Sequence, residues 1–580
     1  MDKPIRSPQT DPGESVAEAY LSLLASRGVE YIFGNAGTDF PPLIEAFAKG
    51  KTGNRRFPKP ILVPHENVAV AMAHGYTMMT GKMQAVMVHV GLGTANALNG
   101  IVNAARQNVP MFFAAGRTPI AEGGLLGSRN NYINWAQEMF DQAAMVREFV
   151  KWDYELRHAI QLETVIDRAF AIAKSEPQGP VYLTLPREVL AGDMNGYACA
   201  AETTIAQAVP PQADGAVLAE VAELLARSER PVLITSNAGR EAGGMAALSD
   251  LADTAALAVV QYRPRYLCLA TDHPMHCGYD GTALLNQADL VLVVDSDVPW
   301  IPDQVKLKPD CKVVHIGSDP LFARYPVRGF RADIAITAQV SATLEKLAGL
   351  TRAAMGRHAG RRELRASHVE AYRAKAGGWM PKKDQKTPGI MNGKWVSTCI
   401  QHAKDEDTVV INEYPLVLEE TAFSKPMTYF SHAPSGGLGW AMGAALGVRL
   451  AKPDATVIVC VGDGTYMFGN PTPTHFVSRA MELPTLTVVF NNARWAAVHR
   501  ATLSMYPDGA AARDNMPEFT CLEPSPDYEK LVEASGGYGE KVTDPAELPA
   551  ALQRALHAVR VEKRQAVLNV ICEPVYVRTS

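Results

Sequence analysis

The segment 455–492, ATVIVCVGDGTYMFGNPTPTHFVSRAMELPTLTVVFNN, sets an acid and an amide at the ends of two apolar runs. Run 456–461 leads into Gly462-Asp463-Gly464 and Thr465, and run 486–490 leads into Asn491-Asn492. In a parallel sheet both runs deliver their ends to one carboxyl edge, where open α/β sheets bind ligands. Asp463 offers a charged hard oxygen and Asn492 a neutral carbonyl oxygen. Mg²⁺ takes a few such ligands together with phosphate oxygens and water. Gly462 and Gly464 let backbone N–H groups approach a phosphate. GDG alone is a common turn. The 26 residues 465–490 that separate it from the asparagine pair, with a strand before each, favour a Mg²⁺-diphosphate site over two unrelated turns.

Three other positions could carry chemistry. Glu66, in PHEN, precedes the helical pattern VAVAMAHGYTMMTG. On residue type alone it is a partner for the helix dipole. His89 closes the apolar run 85–89 and opens HVGLGTAN. A histidine at a strand end serves packing as readily as catalysis, and a catalytic one would move protons near neutral pH. Thr38 lies in FGNAGT. The run SGGLGWAMGAALG, with Gly436 and Leu438, has the small residues of closely packed helices.

The GDG-to-NN spacing resembles the signature of thiamine-diphosphate enzymes, specifically the acetolactate synthase and benzoylformate decarboxylase group, over nearly the whole chain. The resemblance implies a pyrimidine-binding domain, a middle domain and a diphosphate-binding domain. It makes Asp463 and Asn492 the Mg²⁺ side-chain ligands and gives Arg494 a backbone-carbonyl role. Gly462, Gly464 and Thr465 fall at the diphosphate. Glu66 would hydrogen-bond the pyrimidine N1′, in a buried apolar setting that helps it share a proton with the ring. Gly436 and Leu438 would accept the ring's amine hydrogen and hold the cofactor bent. The stretch FGNPTPTHF after GDG departs from the family pattern and bears on the phosphate contacts.

For the reaction, His89 matches a catalytic histidine of benzoylformate decarboxylases, and Thr38 matches their substrate-contacting serine. The implied activity is thiamine-diphosphate- and Mg²⁺-dependent decarboxylation of a 2-keto acid. Those enzymes carry a second histidine in the middle domain, but the matching stretch here, DVPWIPD at 297–303, has none. An acetolactate synthase-like carboligase, a transferase, therefore stays open. A non-enzymatic alternative is a cofactor-binding regulatory protein that has lost catalysis; Glu66 speaks against it. His499, after NNARWAAV, is assigned no role. Acetolactate synthases often hold FAD in the middle domain. SNAGREAGG is not a G-x-G-x-x-G fingerprint, so FAD is possible but unsupported.

These residues need sheets to position them. Apolar runs at 31–33, 85–89, 111–114, 181–185, 232–235, 290–294, 313–316, 409–411, 456–461 and 486–490 alternate with helical patterns. Largely apolar strands separated by helices indicate parallel sheets covered on both faces. The predicted fold class is α/β, with three doubly wound parallel-sheet domains at 14–195, 213–350 and 385–565. The first and last look alike. A small-residue connector, 198–215, joins the first two. The charged stretch 351–386 reads as a helix with a solvated face and a tether. The loop HPMHC at 273–277 reads as a surface loop, since nothing nearby completes a zinc set.

A chain of 580 residues exceeds what one hydrophobic core serves. Its net charge of −5 gives no reason to expect nucleic acid or an anionic membrane surface. No run reaches the roughly 18 apolar residues of a membrane span. The polar amino terminus lacks a signal-peptide core. Eight scattered cysteines are not a disulfide framework, which points to a cytoplasmic protein with reduced thiols. The expected partners are a small 2-keto acid and further copies of the chain, as a homodimer or homotetramer. The resemblance puts the pyrimidine domain of one subunit opposite the diphosphate domain of another, with active sites at that interface.

Overall fold

The computed structural model describes residues 14–53, 55–380, 386–514 and 518–573. The polar amino terminus up to residue 13 and residues 381–385 of the tether lie outside them. Seventeen strands form three sheets in the described residues, and every pairing between the strands is parallel.

The first sheet contains β1 (Tyr31–Gly34), β2 (Lys59–Leu62), β3 (Ala85–Val88), β4 (Met111–Arg117), β5 (Asp153–Glu155) and β6 (Pro180–Pro186), in the order β2-β1-β3-β4-β6-β5. The second contains β7 (Pro231–Thr235), β8 (Ala258–Gln261), β9 (Leu290–Val294), β10 (Lys312–Gly317) and β11 (Ile334–Thr337), in the order β11-β10-β9-β7-β8. The third contains β12 (Val409–Glu413), β13 (Tyr429–Ser431), β14 (Val457–Gly462), β15 (Leu486–Asn491), β16 (Tyr538–Val542) and β17 (Ala566–Ile571), in the order β13-β12-β14-β15-β17-β16. Numbered from its own first strand, the third sheet repeats the winding of the first. Each of these two sheets reverses direction between its first and third strands, which is where doubly wound sheets bind ligands.

All ten apolar runs became strands, because β3, β7, β9 and their central neighbours are buried on both faces and must be apolar throughout. Strands β2, β5 and β11 are edges of three or four partly exposed residues, and no such run announced them.

The chain forms two compact units. One is Met1–Val209 with His432–Asp454 and Thr465–Pro484; the other is Pro210–Ser431 with Ala455–Gly464 and Thr485–Ser580. In the first unit the helix Glu66–Thr80 packs along the helix Trp440–Ala451. Their backbones meet through glycine. A methyl on Gly75 would lie 2.1 Å from the Ala444 carbonyl oxygen, and one on Gly447 would lie 2.0 Å from that of Met72. The close helix packing read from SGGLGWAMGAALG is therefore present, with its partner helix in the amino-terminal part of the chain.

Two readings of the second unit change. The HPMHC segment is not a surface loop: His276 and Cys277 are fully buried. The segment pairs along β8, with the Cys277 N–H bonded to the Val259 carbonyl at 2.7 Å, and the His276 ring packs edge-on against Tyr279 and Trp379. The charged helix Arg361–Ala376 has a solvated face, but Arg365 on it is 1% exposed. Its guanidinium donates to the carbonyls of Leu225, Ala226, Ser228 and Ala255, at the carboxyl ends of the helices Gly215–Arg227 and Gly244–Ala255. Helix ends leave such carbonyls unpaired and carry negative partial charge, so a buried cation there caps two helices at once.

Candidate active site

One helix organises the amino-terminal half of the candidate site. Val90–Arg106 starts where β3 ends, with His89 at its N-cap position. Asn96, Asn99 and Asn103 follow at intervals of three and four, so they share one face. Asn96 Nδ2 donates to Glu66 Oε2 at 3.1 Å. Asn99 Nδ2 donates to the Leu438 carbonyl at 3.0 Å, and Asn103 Nδ2 to the Gly437 carbonyl at 2.8 Å. Asn103 Oδ1 accepts from Ser435 Oγ and from the Gly437 N–H. The helix thus holds both Glu66 and the loop containing Gly436 and Leu438, which come from positions more than 360 residues apart in sequence.

Glu66 opens its own helix and is 5% exposed. Its Oε1 accepts from Asn35 Nδ2 at 2.9 Å, and Asn35 follows directly on β1. The apolar setting expected for this carboxyl is therefore incorrect at its oxygens, since a side-chain amide meets each one. The amides hold the carboxyl in one orientation at the carboxyl edge of β1 and β3.

His89 lies at the same edge. Its Nδ1 is 2.6 Å from Asp39 Oδ1, and its Nε2 faces Gln137 Nε2 at 3.2 Å. The hydrogen bond to Asp39 holds the imidazole's pKa above its ordinary value, against burial, and the negative charges of Asp39 and Glu66 act in the same direction. Val90, next to it, sits at φ +33°, where a β-branched residue is strained by about 1–3 kcal/mol. Its N–H finds Asp39 Oδ2 at 3.3 Å. Thr38 is exposed in the same loop, and its carbonyl accepts from Arg187 Nη1 at 2.9 Å. Arg187 also binds the carbonyls of Gly127 and Ser128, tying the 123–135 segment to the Thr38 loop.

The second unit carries the other cluster. At the GDG segment β14 ends at Gly462, and the helix Asp463–Phe468 begins immediately, with Thr465 buried within it. Asp463 is 3% exposed. Its Oδ1 accepts from the Gly464 N–H at 2.9 Å and its Oδ2 from the Arg494 N–H at 3.2 Å. The same Arg494 N–H lies 3.1 Å from Asn492 Oδ1, so the Asp463 and Asn492 oxygens converge on one point. The Arg494 carbonyl accepts from the Ala496 N–H. The first asparagine of the pair turns into the sheet instead. Asn491 Nδ2 binds Ser525 Oγ and Asn569 Oδ1, joining β15 to β17. Burial pushes the Asp463 carboxyl up to about 6 despite its backbone donors. A buried carboxylate beside an amide oxygen is a donor set that suits a hard divalent cation. After it, the departing stretch FGNPTPTHF closes the helix and starts another at Pro471, with Tyr466 OH bonded to His475 Nε2 at 2.7 Å.

At the carboxyl edge of the second sheet, Arg265 Nη2 donates to both oxygens of Asp297, at 2.8 and 2.9 Å, and Trp300 packs against Phe330. Arg328 stacks over Phe322 and Phe330.

Sequence reasoning missed Asp39, Asn99 and Asn103, and it gave no role to Asn35 and Asn96, which stand in the motifs FGNAGT and HVGLGTAN. The asparagines at three- and four-residue spacing on an otherwise apolar helix were the available signal.

Two sheets of identical winding, each presenting polar side chains where its strand order reverses, define an α/β enzyme architecture built for a ligand at the strand ends. The chain belongs to the thiamine pyrophosphate enzyme family. It matches, in order, the family's N-terminal TPP binding domain over residues 14–145, its central domain over 218–347 and its C-terminal TPP binding domain over 414–570. The acetolactate synthase large subunit of Haemophilus influenzae is 25% identical, over 93% of this chain and 92% of that protein. The sulfoacetaldehyde acetyltransferase of Castellaniella defragrans is 23% identical over 96% of this chain and 93% of that protein. The thiamine diphosphate-dependent 4-hydroxybenzoylformate decarboxylase of Rhodococcus jostii shares the fold at a TM-score of 0.77, with 21% identity, over 97% of this chain and all of that one. The chain is a thiamine-diphosphate-dependent enzyme of carbon–carbon bond chemistry. No helix among the described residues is long and apolar enough to cross a membrane.

Proposed function

We propose that the enzyme decarboxylates a 2-keto acid without oxidation, using thiamine diphosphate and Mg²⁺. The observation that carries this reading is the pairing of His89 with Asp39 on the same sheet edge as Glu66, which supplies a proton donor beside the carboxyl. When bound, the cofactor supplies a nucleophilic carbon and an electron sink for the bond to CO₂. Asp463 and Asn492 hold Mg²⁺ with the Arg494 carbonyl, and Gly462, Gly464 and Thr465 line the diphosphate. Glu66 exchanges a proton with the pyrimidine ring, and Gly436 and Leu438 orient that ring. Thr38 orients the substrate carboxylate. His89 Nε2 gives a proton to the substrate carbon that has lost CO₂.

The acetolactate synthase-like reading has its own support in the names of the sequence relatives. Pyruvate and benzoylformate, offered with thiamine diphosphate and Mg²⁺ within a panel of 2-keto acids, separate the two. The expected product is an aldehyde with CO₂; acetolactate from pyruvate, without aldehyde, would reverse the assignment.

Assembly as a homodimer or homotetramer, with active sites at subunit interfaces, belongs to the same proposal. It is supported by the family resemblance and by the exposed apolar side chains Leu126, Tyr132 and Phe140 on the segment that follows β4. Sedimentation under assay conditions is expected to find activity only in assembled species. A fully active monomer would refute it. A cytoplasmic location completes the proposal.

A further inference from the structure

We propose that Asp39 is a positioning residue for His89: it fixes the imidazole proton on Nδ1 and so makes Nε2 the nitrogen that exchanges protons with the substrate. This rests on the proton-donor role proposed for His89 and extends it to a partner and an atom.

The geometry is built for the pair. Asp39 is 3% exposed, and both of its oxygens are engaged, Oδ1 with His89 Nδ1 and Oδ2 with the Val90 N–H. Two glycines make room. A methyl on Gly37 would sit 2.2 Å from the His89 ring, and one on Gly116 would sit 1.6 Å from Asp39 Oδ2. An ionised carboxylate only accepts, so the nitrogen facing it carries the hydrogen in both protonation states of the ring. That leaves Nε2 to gain and lose the proton.

The other side of the ring matches this division. Gln137 Nε2 donates to the neutral ring's Nε2, while Gln137 Oε1 is buried without a hydrogen-bond partner. A half-turn of that amide presents Oε1 to a protonated Nε2, so one side chain serves both states. In the step itself, the imidazolium gives its Nε2 proton to the substrate carbon that has lost CO₂, keeps its Nδ1 hydrogen on Asp39, and regains a proton from water.

The charged groups facing the ring are Asp39, from the loop after β1, and Glu66, from the start of its helix. Removing the Asp39 charge destabilises the imidazolium, so His89 loses its proton at a lower pH. The test uses full-length protein, with and without thiamine diphosphate and Mg²⁺, as wild type, Asp39→Asn and His89→Gln. The modification rate of His89 by diethylpyrocarbonate is followed by peptide mass spectrometry across pH. In Asp39→Asn the inflection is expected about one pH unit or more below wild type. The alkaline limb of kcat/KM should move the same way, with kcat down about tenfold to a hundredfold and KM little changed. An unchanged inflection in a folded Asp39→Asn protein overturns the proposal. If His89→Gln keeps full turnover, the proton-donor role falls, while the modification curve still decides whether Asp39 governs His89.

Discussion

Glu66→Gln is expected to leave a folded, cofactor-binding protein whose turnover is lower by about two to three orders of magnitude. Glutamine matches glutamate in size but cannot take up a proton at the ring, so the variant tests the chemistry with little change of shape. The cost to stability is small but real. Both glutamate oxygens accept from asparagine amides, Asn35 on one and Asn96 on the other. Glutamine offers one oxygen and one NH₂, so one asparagine must turn away. Asn96 is exposed and Asn35 half-buried, so the freed amide meets water and the expected loss of stability is that of one ordinary hydrogen bond, about 0.5–1.5 kcal/mol. Steady-state rates, together with denaturant midpoints on the same samples, separate the two effects. Unchanged turnover would remove Glu66 from the proton transfer.

The second large effect concerns Asp463→Asn. The amide keeps one acceptor oxygen, for the Gly464 N–H, while the Arg494 N–H retains Asn492 Oδ1; the charge is lost. Without metal, the variant should unfold at the same denaturant concentration as the parent or a higher one, because burial already penalises the carboxylate, whose pKa it pushes up to about 6. Joint affinity for Mg²⁺ and thiamine diphosphate should fall by roughly a hundredfold or more, which corresponds to about 2.7 kcal/mol. Calorimetric titration of both proteins measures this directly. Equal affinity would show that the cation is held elsewhere.

The particular residues show what a sequence can reveal. The strands were legible where burial on both faces forces apolar side chains, as in β3 and β9. They were not legible at edges such as β5, where a three-residue strand needs no such pattern. Asp463 and Asn492 could be found because each follows a recognisable strand in one domain. Asp39 could not, because its partner lies 50 residues away and nothing in GTDF says which way its side chain turns. The asparagine face of Val90–Arg106 had the same difficulty, since its partners Gly437 and Leu438 come more than 330 residues later. Arg365 had the charge of a surface residue, and only the meeting of two helix ends explains its burial.

The helix pair joined through Gly75 and Gly447 also constrains how the polypeptide is made. Residues 66–78 are buried, in part beneath the helix Trp440–Ala451, yet about 220 residues of the other unit must be synthesised between the first and second segments of this one. At translation rates of about 5–20 residues per second, that interval lasts about 10–45 s. During it, the nascent chain carries an apolar helix without its cover, the kind of surface that chaperones occupy. Covering of the helix Glu66–Thr80 is thus timed by the ribosome's arrival near residue 450, ahead of the unit's last segment, Thr465–Pro484, and a message truncated earlier yields a unit that lacks this packing.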